Sequence, residues 1–127
     1  MDKIYCQLPV FDDDAIKQIL QFGTIEEKMT LSLSVGEYHS DWEYAQQICA
    51  RLASHDNQKV KANAALGFGY IARTKGKLQQ SIVEPILLRL LDECTDEDMC
   101  KGRVADAIDD VNVFMGWSIT SSAQLGL

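Results

Sequence analysis

The chain has 127 residues, a length that suits one domain with a single continuous core. Hydrophobic residues make up 46% and charged residues 24%, as in a folded soluble protein, and no apolar stretch is long enough to cross a bilayer. The formal net charge of −7 disfavours nucleic acid as a partner, because phosphate backbones repel an acidic protein. The amino terminus lacks the basic and apolar regions of a secretion signal, so we expect a cytoplasmic protein.

Charge is distributed unevenly along the chain. Residues 1–30 sum to −3, residues 31–91 to +2 and residues 92–127 to −6. The acidic carboxyl-terminal section suits a basic protein partner, because complementary electrostatic potentials accelerate association and disfavour other partners. A simpler interpretation, that the acidic residues only maintain solubility, stays open at this point.

The cysteines show no metal-binding pattern. There are four, and they form no C-x-x-C pair and are not clustered with histidine: Cys6, Cys49, Cys94 and Cys100. Without a secretion signal, reduced thiols are favoured over two disulfides. We therefore expect neither a zinc site nor another metal or cofactor.

The first two helices are predicted from the residues at their ends. Helix one begins at residue 12 or 13 and runs to Phe22, with aspartates at its positive end and Gly23 as its stop. Helix two begins at Thr24, which can form a capping box with Glu27. We expect it to end at Gly36.

The next two helices are predicted to pack more deeply. Ser40 and Glu43 match a capping box that opens helix three, whose apolar stripe continues to residue 52. Helix four, residues 58–73, is apolar on nearly every side and should therefore be buried on nearly every side. Gly67 and Gly69 within it are expected to be points of close helix contact.

The last two helices are predicted over residues 78–92 and 98–115. Pro85 lies inside the first of these and should kink it or mark its first turn. The tail, residues 118–127, is small and polar, and we expect it to fray.

Two helix pairs recur about one HEAT-repeat length apart. The polar stretches at residues 55–61 and 95–101 each lead into an apolar helix, at an offset of 40. The matching apolar positions are Ala64, Ala65, Phe68 and Ile71 in one copy, and Val104, Ala105, Ile108 and Val111 in the other. This repetition predicts an all-α fold: a short, HEAT-like α-solenoid of about three stacked antiparallel helix pairs, in one domain over residues 1–127.

The densest polar cluster lies at residues 37–43. A catalytic interpretation makes His39 a general base that Asp41 orients, but no nucleophile motif, phosphate-binding loop or metal-ligand spacing accompanies it. The same residues also fit the start of a helix, with Trp42 packing inward, or a contact surface for a protein.

A second candidate site lies on the last helix. Asp106, Asp109 and Asp110 are predicted to share one face, with Arg103 as an intrahelical partner of Asp106. They form either a solvated face or a docking patch for lysines and arginines of another protein. Three parallel carboxylates are poorly arranged to surround a divalent cation.

Aromatic side chains near these acidic residues are candidate interface anchors, although each also fits the groove between repeats. The partner-binding residues that the sequence predicts are Glu37, Tyr38, His39, Asp41, Trp42, Tyr70, Asp106, Asp109 and Asp110.

Residues 37–115 resemble small bacterial HEAT-like proteins. The resemblance is carried by Asp41, Trp42, Ala45, Gln46, His55, Asp56, Val60, Lys61, Ala64, Leu66, Gly67, Ile71, Ala72, Arg73, Val83, Pro85, Ile86, Leu87 and residues 105–111. Proteins of this kind are often encoded beside polymorphic or contact-dependent toxins, and several are thought to be immunity proteins. The resemblance thus implies a stoichiometric inhibitor that binds a basic toxin domain, such as a nuclease, in the cytoplasm. It supplies no catalytic residues.

Two other functions stay open. The chain also fits a HEAT-like adaptor in another bacterial complex. A HEAT-like enzyme such as a DNA glycosylase is disfavoured, because the acidic carboxyl-terminal section would repel a duplex.

Overall fold

The computed structural model describes residues 7–120, which form six α-helices, one 3-10 turn and no strand. The helices are α1 Asp13–Phe22, α2 Ile25–Tyr38, α3 Trp42–Leu52, α4 Gln58–Lys75, α5 Gln80–Glu93 and α6 Cys100–Met115, and the 3-10 turn is Glu97–Met99. The predicted all-α class is confirmed for this part of the chain. Residues 121–127, most of the tail predicted to fray, lie outside the described residues.

Helix starts follow the capping chemistry of the sequence. The carboxylate of Asp12 accepts the Ala15 N–H, and Thr24 and Glu27 form the predicted capping box of α2. The prediction for α3 is wrong by one residue, since Asp41 and not Ser40 is its cap. Asp41 Oδ1 accepts the backbone N–H groups of Glu43 and Tyr44 in the first turn of the helix, at 3.0 and 3.2 Å.

Helix α4 lies at the centre of the fold. It packs most extensively against α2 and α6 and also contacts α3 and α5. Its apolar residues are buried around most of its circumference, as the sequence predicts, whereas α1 packs mainly on α2. Within the described residues, no helix is long and apolar enough to span a membrane.

The crossing of α2 and α4 is a backbone-to-backbone contact. A Cβ on Gly67 would lie 2.5 Å from Cys49 Sγ and 2.8 Å from the Ser32 carbonyl oxygen. A Cβ on Gly36 would lie 2.7 Å from both the Gly67 carbonyl oxygen and Tyr70 Cβ. The prediction that Gly36 ends α2 is therefore wrong. This glycine continues the helix and allows α2 to approach α4 closely.

The crossing of α4 and α6 is less tight. A Cβ on Gly69 would meet Asp110 Cβ at 3.5 Å, an ordinary van der Waals distance. The predicted close contact therefore holds at Gly67, whereas Gly69 has room for a methyl group.

Helix α5 begins at Gln80, two residues later than predicted. The residue before it, Gln79, is hydrogen-bonded to the buried Gln46 of α3. Gln46 Oε1 accepts the Gln79 backbone N–H and Gln46 Nε2 donates to Gln79 Oε1, both at 2.8 Å. Pro85 lies beyond the first turn, and the helix continues through it.

Helix α6 begins after a left-handed turn at Asp98 and Met99, with φ of 53° and 60°. Beyond its end, Ile119 is buried, and its backbone N–H and C=O pair with the Asn112 side chain at 2.9 and 3.1 Å. The prediction of fraying from residue 118 does not hold for Ile119.

Three of the cysteines are described, and all three are free, buried thiols. Burial raises the pKa of the Cys49 thiol to about 12, and it also raises the pKa of Cys94 and Cys100. These thiols therefore behave as small apolar groups at neutral pH.

We expect Gly67→Ala to destabilise the protein by about 1–3 kcal/mol, because the new methyl group must displace the Ser32 backbone or the Cys49 side chain. Gly102→Ala is the matched control. Gly102 is an exposed position of helix α6 with no heavy atom near the new Cβ, and this substitution should stabilise the protein by up to about 1 kcal/mol. Equilibrium urea unfolding measures both. A Gly67→Ala protein as stable as the wild type would contradict the close crossing.

Candidate protein-binding surface

Two of the predicted site residues, Glu37 and Tyr70, lie close together where the carboxyl-terminal halves of α2 and α4 meet. Arg73 on α4 forms an ion pair with Glu37 on α2, and its guanidinium carbon lies 4.6 Å from the centroid of the Tyr70 ring. Thr74 Oγ1 lies 2.8 Å from the carbonyl oxygens of both Gly36 and Tyr70. The close approach at Gly36 therefore brings Glu37, Tyr70 and Arg73 together on one surface.

Helix α6 presents its three aspartates to solvent. Asp106, Asp109 and Asp110 are all exposed, and Asp110 Cβ faces α4 near Gly69. None of the three forms an ion pair with another residue of the described range 7–120. Their negative charge is therefore not compensated by any cation that the structure describes.

Arg103 is not the partner that the sequence predicts for Asp106. Its Nη1 donates instead to Asn63 Oδ1, at 3.2 Å. Asn63, which is nearly buried on α4, also donates from Nδ2 to the Met29 carbonyl oxygen on α2, at 3.2 Å. One amide side chain thus links α2, α4 and α6.

We use the name α2–α4–α6 face for Glu37, Tyr70, Arg73, Asp106 and Asp110, which are polar and aromatic residues of three helices that pack together, α2 and α6 each against α4. Arg73 and the two aspartates are exposed, whereas Glu37 and Tyr70 are half-buried. Asp109 lies beside this face on α6. The face combines an aromatic ring, a guanidinium and several carboxylates. Tyrosine and arginine are enriched in protein–protein interfaces.

His39 and Asp41 belong to a different part of the molecule. His39 Nδ1 accepts the Asp41 backbone N–H at 3.1 Å, so the ring proton lies on Nε2, which donates to Asp13 Oδ1 at 3.1 Å. The Tyr44 ring packs against the imidazole, with centroids 4.9 Å apart. His39 therefore fastens the start of α1 to the connection between α2 and α3.

This arrangement corrects the catalytic interpretation of residues 37–43. The carboxylate of Asp41 does not orient the imidazole, because it caps α3, and Asp41 bonds to the ring only through its backbone N–H. Trp42 is partly buried and packs against the core. A cleft of about 180 Å³ lies beside His39. Among the described residues it is lined by Val10, Phe11, Ser34, Val35, Tyr38, His39 and Ser40.

The described acidic residues were predicted not to surround a metal ion. Within the described range 7–120, no three or more histidine, cysteine, aspartate or glutamate side chains lie close enough together to hold an ion.

Sequence reasoning did not single out several exposed apolar residues. Val113 and Phe114 on α6 are 74% and 46% exposed, and Met99 before it is 75% exposed. The helical period placed them opposite the core, but isolated exposed apolar residues are common on protein surfaces and are not a signal by themselves. Asn63 was overlooked as well, because it lies in an otherwise apolar helix.

Comparison with known proteins identifies a shared fold. The chain is similar to a chain in the crystal structure of a CDI complex from Cupriavidus taiwanensis LMG 19424, with a TM-score of 0.73 and 23% sequence identity. The match covers 89% of this chain and 98% of that chain. No family model and no curated protein matches the sequence. At this identity, the likeness establishes the fold alone.

We expect Asn63→Ala to destabilise the protein by about 1–3 kcal/mol, because it leaves the Met29 carbonyl and the Arg103 guanidinium without their shared partner. Gln47→Ala, on the exposed side of α3, is the control and should change the stability by less than about 0.5 kcal/mol. Chemical unfolding followed by circular dichroism compares the two. Equal stabilities would mean that Asn63 does not hold the three helices together.

Proposed function

We propose that this protein is a non-catalytic immunity protein, which binds a cognate bacterial toxin domain and neutralises it by stoichiometric inhibition. The observation that carries the proposal is that three exposed aspartates of α6, Asp106, Asp109 and Asp110, form no ion pair with a described residue. Two likenesses support it: the resemblance of residues 37–115 to HEAT-like immunity proteins, and the fold shared with a chain of a CDI complex.

We further propose that residues 1–127 form one HEAT-like domain in which α1–α2, α3–α4 and α5–α6 are three stacked pairs. The partners within each pair contact each other, and α2 and α6 both pack extensively against α4. In such a stack, one helix of each pair contributes to a continuous layer, and that layer presents an extended surface to a partner.

The proposed partner is a basic protein. An acidic surface would steer a cationic toxin domain toward itself and form charge-assisted hydrogen bonds with its lysines and arginines. A nuclease domain fits this description, because its substrate groove is cationic, and an acidic protein seated there would exclude the substrate. The proposal includes no nucleic acid, membrane or cofactor, and it places the encounter in the cytoplasm.

The first experiment tests neutralisation itself. If the proposal is correct, the gene lies directly downstream of a large toxin gene, and co-expression of this protein restores growth to cells that express the terminal domain of that toxin. Growth that stays inhibited while both proteins accumulate in soluble form would reject the immunity function. An unrelated gene neighbourhood would favour an adaptor of another bacterial complex.

The second experiment tests the aspartates. We expect a triple variant to associate with the toxin domain about tenfold more slowly or worse, and its association rate to depend less on salt concentration. The variant combines Asp106→Lys, Asp109→Lys and Asp110→Lys. The control reverses three other exposed acidic residues, Glu26, Asp56 and Asp92, and thereby changes the net charge equally. Stopped-flow or interferometry measurements give the rates. Equal effects of the two variants would attribute binding to net charge and not to α6.

A further inference from the structure

The carboxyl-terminal half of α6 combines exposed apolar and acidic side chains. Val113 is 74% exposed and Phe114 is 46% exposed. On a helix, residues three and four positions apart are surface neighbours. Val113 therefore adjoins Asp109 and Asp110, and Phe114 adjoins Asp110. We call Asp109, Asp110, Val113 and Phe114 the α6 anchor patch.

Other apolar residues of α6 are used differently. Val104, Ile108 and Val111 are fully buried and pack into the core, so the helix already has its complete inward stripe. Val113 and Phe114 add nothing to that stripe. An exposed phenylalanine beside an exposed valine leaves apolar area in water, and its burial would stabilise a complex.

We infer that the α6 anchor patch is where the toxin domain docks, through a segment in which an apolar side chain is flanked by lysines or arginines. This inference rests on the proposed function. Charge complementarity selects the occupant: two carboxylates border the apolar pair, and neither is paired with a described cation. A second copy of this chain would bring the same carboxylates together and would be repelled.

The two parts of the patch have separable roles. The aspartates act at a distance and set the association rate, whereas the apolar pair acts only after contact and sets the dissociation rate. An aromatic anchor near the centre of an interface typically contributes much of the affinity, and surrounding charges contribute less. The aspartates thus attract the partner, and the apolar pair retains it.

The test uses the full chain and the purified terminal domain of the toxin encoded upstream. Phe114→Ala and Val113→Ala should each accelerate dissociation, with a loss of affinity of about tenfold or more for Phe114→Ala, and should leave the association rate and its salt dependence unchanged. The matched controls are Phe22→Ala on α1 and Val10→Ala, which are 73% and 72% exposed, and neither should alter binding. Circular dichroism and thermal unfolding verify the fold of all four variants.

Three outcomes would overturn the inference. If the wild type binds the toxin domain and both α6 variants bind it equally well, the docking surface lies elsewhere, and the immunity function stands. If the wild type forms a dimer that Phe114→Ala abolishes, the occupant is a second copy. If the wild type neither binds nor protects, the proposed function fails and this inference fails with it.

Discussion

The fold depends on the contact between α2 and α4, where two glycines let one backbone rest on another. At Gly36 and Gly67 there is no room for a methyl group, so the distance between these helices is fixed by main-chain atoms. This contact orients the end of α2, and consequently Glu37 can reach Arg73 across Tyr70. Asn63 of α4 connects this pair of helices to α6, because it accepts a hydrogen bond from Arg103. The outer surface of the three helices is a consequence of how their inner sides pack.

The polar groups divide into those that the fold uses and those that it leaves available. The carboxylate of Asp41 caps α3, His39 fastens α1, and Arg103 bonds to Asn63. The aspartates of α6 have no comparable structural partner among residues 7–120. Retaining repulsive like charges on one helix costs a few tenths of a kcal/mol per pair, and a cationic partner would reverse that cost.

Local chemistry in the sequence was sufficient for the helices and insufficient for the surface. The Thr24 capping box and the apolar circumference of α4 could be predicted, because they depend on neighbours in the chain. Gly36 could not, since a glycine that ends a helix and one that admits a second helix look alike until the partner is placed. Arg103 likewise prefers Asn63, 40 positions away in sequence, over Asp106 on its own helix. Which charged side chains stay without an ion-pair partner is therefore determined by the tertiary structure.

The most direct test of the account is to label carboxylates with a carbodiimide and an amine, in the free protein and in its complex with the toxin domain, and to map the products by mass spectrometry. The account predicts that Asp106, Asp109 and Asp110 are modified readily in the free protein and are protected in the complex. Modification of Asp56 and Asp92 should be unchanged. If the complex forms and the α6 carboxylates are modified as fast as before, the surface that binds the toxin is not on α6.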